Sequence, residues 1–278
     1  IATVAINTIL APIFIFMFDW GIRGAAIATV SAQVIALLWQ LKQFNNANEL
    51  LHFRRGIFRL KRKIVFDSLA IGMSPFLMNL AACLIVILIN QGLKKYGGDL
   101  AIGAFGIVNR LVFIVVMIVM GLNQGMQPIA GYNFGAKLYD RVNKVLKLTI
   151  IYATCVTTFG FLVGMLAPNL VVGIFTSDAE LTELSATGLR ITVMFFPIIG
   201  FQMVTSNFFQ SIGMAGKAIF LSLTRQMLIL LPCLLILPHF FGVAGVWYSM
   251  PVSDLLASLI ALVMLVYQFR KFKTAAAH

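Results

Sequence analysis

The chain has 278 residues, 60% of them hydrophobic and only 11% charged, with 21 Lys and Arg against 9 Asp and Glu and a net charge of +12. Soluble domains carry about 25% charged residues; with a mean hydropathy of +0.97, this chain falls outside that class and reads as an all-α polytopic membrane protein. Its basic residues cluster in loops that suit an anionic cytoplasmic leaflet, which excludes nucleic acid as the explanation of the charge.

In chain order, Ile1–Phe18 is an apolar run broken by Asn7 and Pro12, Asp19–Gly24 is a tight turn with Trp20 at the interface, and Ala25–Leu41 is a second span. Leu41–Phe66 then carries seven basic residues (Lys42, Arg54, Arg55, Arg59, Lys61, Arg62 and Lys63) with Glu49 and His52. Such a segment between membrane-length apolar runs is a cytoplasmic loop under the positive-inside rule. Six further spans follow: Leu69–Asn90, Leu100–Leu122, Leu148–Phe175, Ile191–Ser211, Ile219–Leu237 and Val246–Phe269. Between them the sequence predicts a short loop at Gln91–Gly98, a Gly-rich then basic connection at Asn123–Lys147, and an acidic loop with Asp178, Glu180 and Glu183. Basic and weakly charged connections alternate, Lys94 and Lys95 excepted, which puts the C-terminus in the cytoplasm of a multi-pass protein of the cell membrane.

A short internal repeat organises this series. Phe18-Asp-Trp-Gly21-Ile-Arg-Gly24-Ala-Ala matches His239-Phe-Phe-Gly242-Val-Ala-Gly245-Val-Trp, an offset of 221 residues (242 − 21). Each joins two apolar spans after a run containing proline, Pro12 or Pro232. This predicts two like bundles related by an axis along the membrane normal. Residues 1–41 are then the last two helices of an N-terminal lobe, 42–66 a basic cytoplasmic linker, and 67–278 a C-terminal six-helix lobe. The repeat also predicts roughly 150 residues or more upstream, so that the rest of the N-terminal lobe is missing from this chain; residue 1 is Ile within an apolar run.

Motifs for soluble chemistry are absent: no GxxxxGK[ST], no HExxH and no GxSxG. Cys83, Cys155 and Cys233 stand in apolar runs without metal or disulfide spacing. The ionisable residues within spans are Arg110, Arg225 and Asp254, poor material for an enzyme and reasonable material for a transport pathway. A charge in hydrocarbon costs at least about 2.5–3.5 kcal/mol, so each should face a bundle interior or water. Asp254 either takes a cation or proton, or is held structurally by a salt bridge with Arg225 or by hydrogen bonds near the outer surface. Arg110 orients a polar network beside Asn109, repels cations until a conformational change, or is a buried structural residue paired with backbone carbonyls, and Arg225 snorkels to the cytoplasmic end. Asn79, Asn109, Gln202, Asn207 and Gln210 either line a substrate cavity or bond between helices; Gln202 and Gln210, at i and i+8, can share a helix face. The pairs Gly121/Gly125, Gly131/Gly135 and Gly160/Gly164 permit close helix contacts.

Gly121-Leu-Asn-Gln-Gly-Met-Gln127-Pro128-Ile-Ala-Gly-Tyr132-Asn133-Phe-Gly135-Ala136 resembles the signature after the eighth helix of multidrug and toxic compound extrusion (MATE) transporters. Phe208-Phe209-Gln210-Ser-Ile-Gly213, Arg225-Gln226 and Gly242-Val-Ala-Gly-Val-Trp-Tyr-Ser-Met-Pro251-Val-Ser-Asp254 resemble its MepA-like branch. The resemblance covers the whole chain. It implies a MATE-like bundle of twelve helices in two six-helix lobes, of which eight are present and the first four absent. It further implies antiport, in which a hydrophobic or cationic drug leaves as Na⁺ or H⁺ enters, with no cofactor beyond the coupling ion and with membrane lipid around it. Some members bind the ion with a Glu on the seventh helix and an Asp on the tenth. Here the seventh holds Asn79 and no acid beyond Asp67, and the tenth holds Gln202, Asn207 and Gln210, so that site is not carried over. Relatives without it couple through an Asp on the first helix, so residues 1–278 alone are expected not to transport. The alternatives are a lipid-linked oligosaccharide or lipid II flippase of the same superfamily, which Arg110 and Arg225 favour and the Gln127–Ala136 motif opposes, and a membrane scaffold or membrane-embedded enzyme.

Overall fold

The computed structural model describes residues 2–46, 52 and 61–276. Most of the predicted basic linker, including Glu49, Arg54, Arg55 and Arg59, lies outside the described residues. Two compact units divide the chain, 1–69 and 70–278.

The first unit is built on a helical hairpin. Helix α1 (Ala2–Pro12) runs into a π turn at Ile13–Met17, and α2 (Gly21–Phe44) packs back against α1. The reversal uses left-handed backbone at Asp19 (φ 56°) and Gly21 (φ 51°). Phe14, Phe18 and Trp20 cluster over it, with ring centroids 5.4–5.8 Å apart. Gly24, Ala28, Ala32 and Ala36 are buried at every fourth position of α2. That stripe of small side chains lets the backbones approach, which is how helices gain packing energy in lipid.

The second unit begins within α3 (Arg62–Gly135), which is too long for one crossing. Its 57 residues from Asn79 to Gly135 would measure ~86 Å as a straight helix, against ~30 Å of hydrocarbon. Gly98, at φ 67° and ψ −163°, breaks it into two limbs; only glycine takes that conformation without strain. Next come α4 (Tyr139–Leu166), the single turn α5 (Pro168–Val172), α6 (Ala179–Val193) and α7 (Phe196–Ser211). Helices α6 and α7 meet at 55°, where Pro197 removes a backbone donor at the start of α7. Helix α8 (Ala215–Leu223), a π turn (Thr224–Leu230) and α9 (Leu231–Phe241) form one pass, and α10 (Val243–Ala276) the last.

Among the described residues five helices are long and apolar enough to cross a membrane, or six if the α6–α7 pair is one span. Each predicted span lies mainly in helix, and two account for the lower count: the limbs of α3 register as one helix, and the first predicted span is the shorter Thr3–Met17. The long, apolar helices make this a multi-pass membrane protein. Three predicted connections are corrected. Helix continues through Gln91–Gly97, and the 123–147 connection shrinks to Ala136–Leu138. The acidic loop is largely helix: Asp178 caps α6 by accepting from the Leu181 N–H at 2.8 Å, and Glu180 lies in its first turn. Helices project past the hydrocarbon core, so polar residues at their ends need not be loops.

The core of this unit has two centres. Trp247, Phe105 and Phe196 pack near the Gly98 end, and Phe208, Phe209 and Met126 pack near the Gly135 end. Gly160 and Gly164 are the close-contact pair the sequence predicts, since a Cβ there would lie 2.9 Å from Val115 and 3.0 Å from Val193. Gly121 and Gly125 face open space among the described residues, and of the third pair only Gly131 approaches a neighbour, the Ser211 carbonyl.

The second hairpin repeats the first. Gly242 turns the chain at φ 57°, and Gly245, Ser249, Ser253 and Ala257 are buried along α10 at the spacing of Gly24, Ala28, Ala32 and Ala36. A Cβ on Gly24 would lie 2.5 Å from the Phe14 carbonyl oxygen, and one on Gly245 would lie 2.5 Å from the Leu237 carbonyl carbon. In each hairpin the second helix therefore crosses the preceding segment at the second glycine of the repeat.

Candidate functional site

Both limbs of α3, with α4, α6, α7, the second π turn and α10, enclose a cavity of about 250 Å³ in the second unit. Most of its wall is aliphatic or aromatic: Ile85 and Ile89 from the first limb, Phe105 and Val108 from the second, Phe196 and Ile199 from α7. Met203 and Met250 add unbranched side chains that repack readily. One side is polar, with Asn109, Arg225, Gln226, Ser253 and Asp254, and Thr157 and Thr192 complete it.

Asp254 is the electrostatic centre. It lies 11 residues into α10 (254 − 243), near the middle of the apolar stretch Val243–Phe269. Asp254 is 4% exposed. Arg225 Nε donates to its Oδ1 at 2.7 Å, and the arginine side chain is 32% exposed. Of the sequence readings for Asp254, the geometry realises the salt bridge. It also corrects Arg225: the guanidinium turns inward to α10 instead of snorkelling to the helix end. Burying either charge alone would be costly, and pairing them offsets that cost only where geometry is good.

The π turn explains why neighbours Arg225 and Gln226 both reach the wall. The turn is wider than an α turn, as in the Leu231 N–H that bonds the Gln226 carbonyl five residues back. Such turns occur frequently at functional sites. Gln226 Oε1 and Thr224 Oγ1 are buried without a hydrogen-bond partner among the described residues. The cavity's hydroxyls are satisfied within their own helices: Thr157 bonds the Ala153 carbonyl at 3.0 Å, Thr192 that of Gly188 at 2.8 Å, and Ser253 that of Met250 at 2.7 Å.

The remaining predicted site residues disperse. Arg110 is exposed, one position round the helix from Asn109, beside Gly103, Gly106 and Phe175 in a separate hollow of about 210 Å³. It is not a buried structural arginine. Asn79 is exposed on the first limb, outside the cavity wall. Gln202 is buried while Gln210 is exposed, so the two do not present one lined face. Asn207 Nδ2 donates to the Met203 carbonyl at 3.0 Å, a bond within its own helix.

The motif residues build a helix end. Asn133 is buried and donates to the Ile129 carbonyl at 2.8 Å, and its own carbonyl accepts the Leu138 N–H at 2.9 Å. Gln127, Pro128, Tyr132 and Gly135 are exposed. Sequence reading misses Thr157, Thr192, Ser253 and Gln226. Among the described residues no three His, Cys, Asp or Glu side chains are grouped to hold a metal ion, and the cysteines are free.

A family model described as MatE matches residues 70–236, which contain most of the cavity wall. The multidrug export protein MepA of Staphylococcus aureus (strain MSSA476) is 29% identical over 274 residues, covering 97% of this chain and 59% of that protein. MepA of Staphylococcus saprophyticus is 26% identical over 270 residues with the same coverage. Among solved structures, a complex of the MATE multidrug transporter DinF-BH aligns with a TM-score of 0.82 and 35% identity, over 98% of this chain and 60% of that one. An outward-facing MATE family transporter of the MOP superfamily aligns with a TM-score of 0.84 at 22% identity, over 98% of this chain and 62% of that one, a likeness of fold. The chain thus spans 59% of the length of these curated relatives.

Proposed function

The chain belongs to the MatE family, and from that premise we propose that it is part of a secondary active multidrug efflux transporter that exports hydrophobic or cationic drugs in exchange for Na⁺ or H⁺. The observation that carries this reading is the cavity: a mostly apolar, methionine-containing chamber with a charge pair near the middle of the apolar stretch of α10. Apolar walls give a hydrophobic drug non-directional contact, and Asn109 and Gln226 supply a few polar contacts. Rocking of the two lobes about the basic linker would give the drug access to either side of the membrane in turn.

In the proposed arrangement residues 1–41 close the N-terminal lobe and 67–278 form the C-terminal one. The basic linker 42–66 lies against the anionic cytoplasmic leaflet of the cell membrane, and the C-terminus is also cytoplasmic. Each linker charge contributes about 1 kcal/mol of attraction to that leaflet. No cofactor is required beyond the coupling ion, and the chemistry is transport, not catalysis.

The test uses the full-length protein in proteoliposomes. Movement of a fluorescent organic cation is followed under an imposed Na⁺ gradient and then under an imposed proton gradient. Counter-movement under one of them is expected, and it identifies the ion. Stillness under both, with the protein folded, replaces this reading with a lipid-linked substrate or a role without transport.

A further inference from the structure

We propose that Arg225 is a tethered cation that occupies Asp254 while the cavity is empty, and that a lipophilic organic monocation binds by taking its place on that carboxylate. The inference rests on the drug-export reading and assigns the charged end of the ligand to one atom group.

Three observations lead there. First, the cavity holds both charges. With Arg225 on Asp254 the polar side is neutral, and a cationic ligand meets a guanidinium before it meets the acid. Burying a permanent cation in that chamber without a counter-charge is unfavourable. Among the described residues Asp254 is the one acid in the wall, so a cation is neutralised there only if Arg225 moves. Second, the pair is built to part. Among the described residues it rests on one hydrogen bond, from Nε to Oδ1. The two-bond fork that arginine makes with carboxylates in its stronger pairs is not used. Arg225 is also the more exposed partner, 32% against 4%, so the guanidinium moves on a flexible stem while the carboxylate stays. Third, the same wall has somewhere for a displaced donor to go. Gln226 Oε1 is a buried acceptor without a partner among the described residues, next to Arg225 along the π turn.

The energetic consequence is direct. A site occupied by its own tethered competitor shows an apparent affinity reduced by the fraction of time it is open. Removing the competitor should tighten cation binding and leave neutral ligands unaffected. A merely structural pair behaves in the opposite way, since breaking it loosens the cavity for every ligand.

The experiment measures equilibrium binding of tetraphenylphosphonium, and of neutral triphenylphosphine oxide as control, to the full-length protein in detergent. Arg225→Gln is expected to tighten tetraphenylphosphonium by about fivefold or more and to leave the neutral probe within about twofold. Asp254→Asn, which keeps an acceptor for Nε, is expected to weaken the cation by about tenfold or more, again sparing the neutral probe. In the double variant the gain from Arg225→Gln should vanish, because there is no carboxylate to release. Weaker or unchanged cation binding in Arg225→Gln overturns the proposal. If that variant does not fold, Asp254→Asn decides: equal losses for both probes, or none for the cation, overturn it. Drug movement by the wild type with either of these results leaves the export reading standing and removes only the tethered cation. A wild type that binds no cation, with none gained in Arg225→Gln, removes both.

Discussion

The α1–α2 and α9–α10 hairpins are two versions of one device, and their difference isolates the charge pair. At the 221-residue offset Gly21, Gly24, Ala28, Ala32 and Ala36 correspond to Gly242, Gly245, Ser249, Ser253 and Ala257, and all but the turn glycines are buried. The same offset sets Gln33, exposed on α2, against buried Asp254, and Val4 against Arg225. A hairpin therefore folds on the small-residue stripe and the glycine turn without any ion pair. The pair between the second π turn and α10 is an addition to a scaffold that does not need it, which is the pattern expected of a functional group.

The largest expected effect breaks that addition. Asp254→Leu leaves Arg225 without its counter-charge in the cavity. Removing one partner of a buried pair typically destabilises by about 3–5 kcal/mol; partial exposure of Arg225 reduces this to the lower end or below. Efflux of organic cations by the full-length protein should fall to background. Gln33→Leu, the matched change in the other hairpin, should leave both thermal melting and efflux near wild type. Equal loss from the two substitutions would show that Asp254 has no special part.

Next come the crossing glycines, which test the shared scaffold. Gly245→Ala drives a methyl group onto the Leu237 carbonyl, and Gly24→Ala does the same to that of Phe14. Neither obstacle is a flexible side-chain tip, so the helices must separate, at about 1–3 kcal/mol each. Both variants should melt several degrees lower in detergent. A loss at Gly245 alone would mean that the first hairpin crosses less tightly than the second. The turn glycine Gly242, at φ 57° and ψ −133°, is the next smaller case. Ala there should cost about 1–3 kcal/mol, from backbone strain alone because open space surrounds it.

The same comparison explains what can be read in the sequence. The apolar stretches are legible because a span needs about 20 apolar residues whatever it packs against. The hairpin repeat is legible because its glycines do backbone work that no other residue does. Asp254 and Arg225 are legible because ionisable residues within a span are rare. Their facing one another is readable only as one of several options, since whether a guanidinium reaches inward or outward depends on the neighbouring helix. Helix ends are misplaced at Gln91–Gly97 and 123–135 because helices run on past the hydrocarbon. Asn207 and Asn133 look like site residues but bond carbonyls four residues back. Thr157, Thr192 and Ser253 escape notice for the same reason: hydroxyls that satisfy themselves within a helix occur on every face, and the sequence does not mark those that line a cavity.

The smallest expected effects sharpen the comparison most finely. Ser249 and Ser253 stand where α2 has Ala28 and Ala32, and both hydroxyls bond within α10, to the carbonyls of Gly245 and Met250 at 2.8 and 2.7 Å. Replacing either with Ala installs the residue that the other hairpin already uses at that depth. The carbonyl keeps its place in the helix ladder, and the lost hydroxyl leaves no donor stranded. Stability should change by less than about 0.5 kcal/mol in each case, because most of a hydroxyl's hydrogen-bond gain is cancelled by its own burial. The two differ in what they face. Ser253 lines the cavity beside Asp254, whereas Ser249 does not. Ser253→Ala should therefore raise the KM for drug efflux about two- to fivefold, equivalent to one modest polar contact, with the melting temperature unchanged. Ser249→Ala should leave both untouched. A shift in KM from both, or from neither, would mean that the cavity wall does not meet the transported drug at this turn of α10.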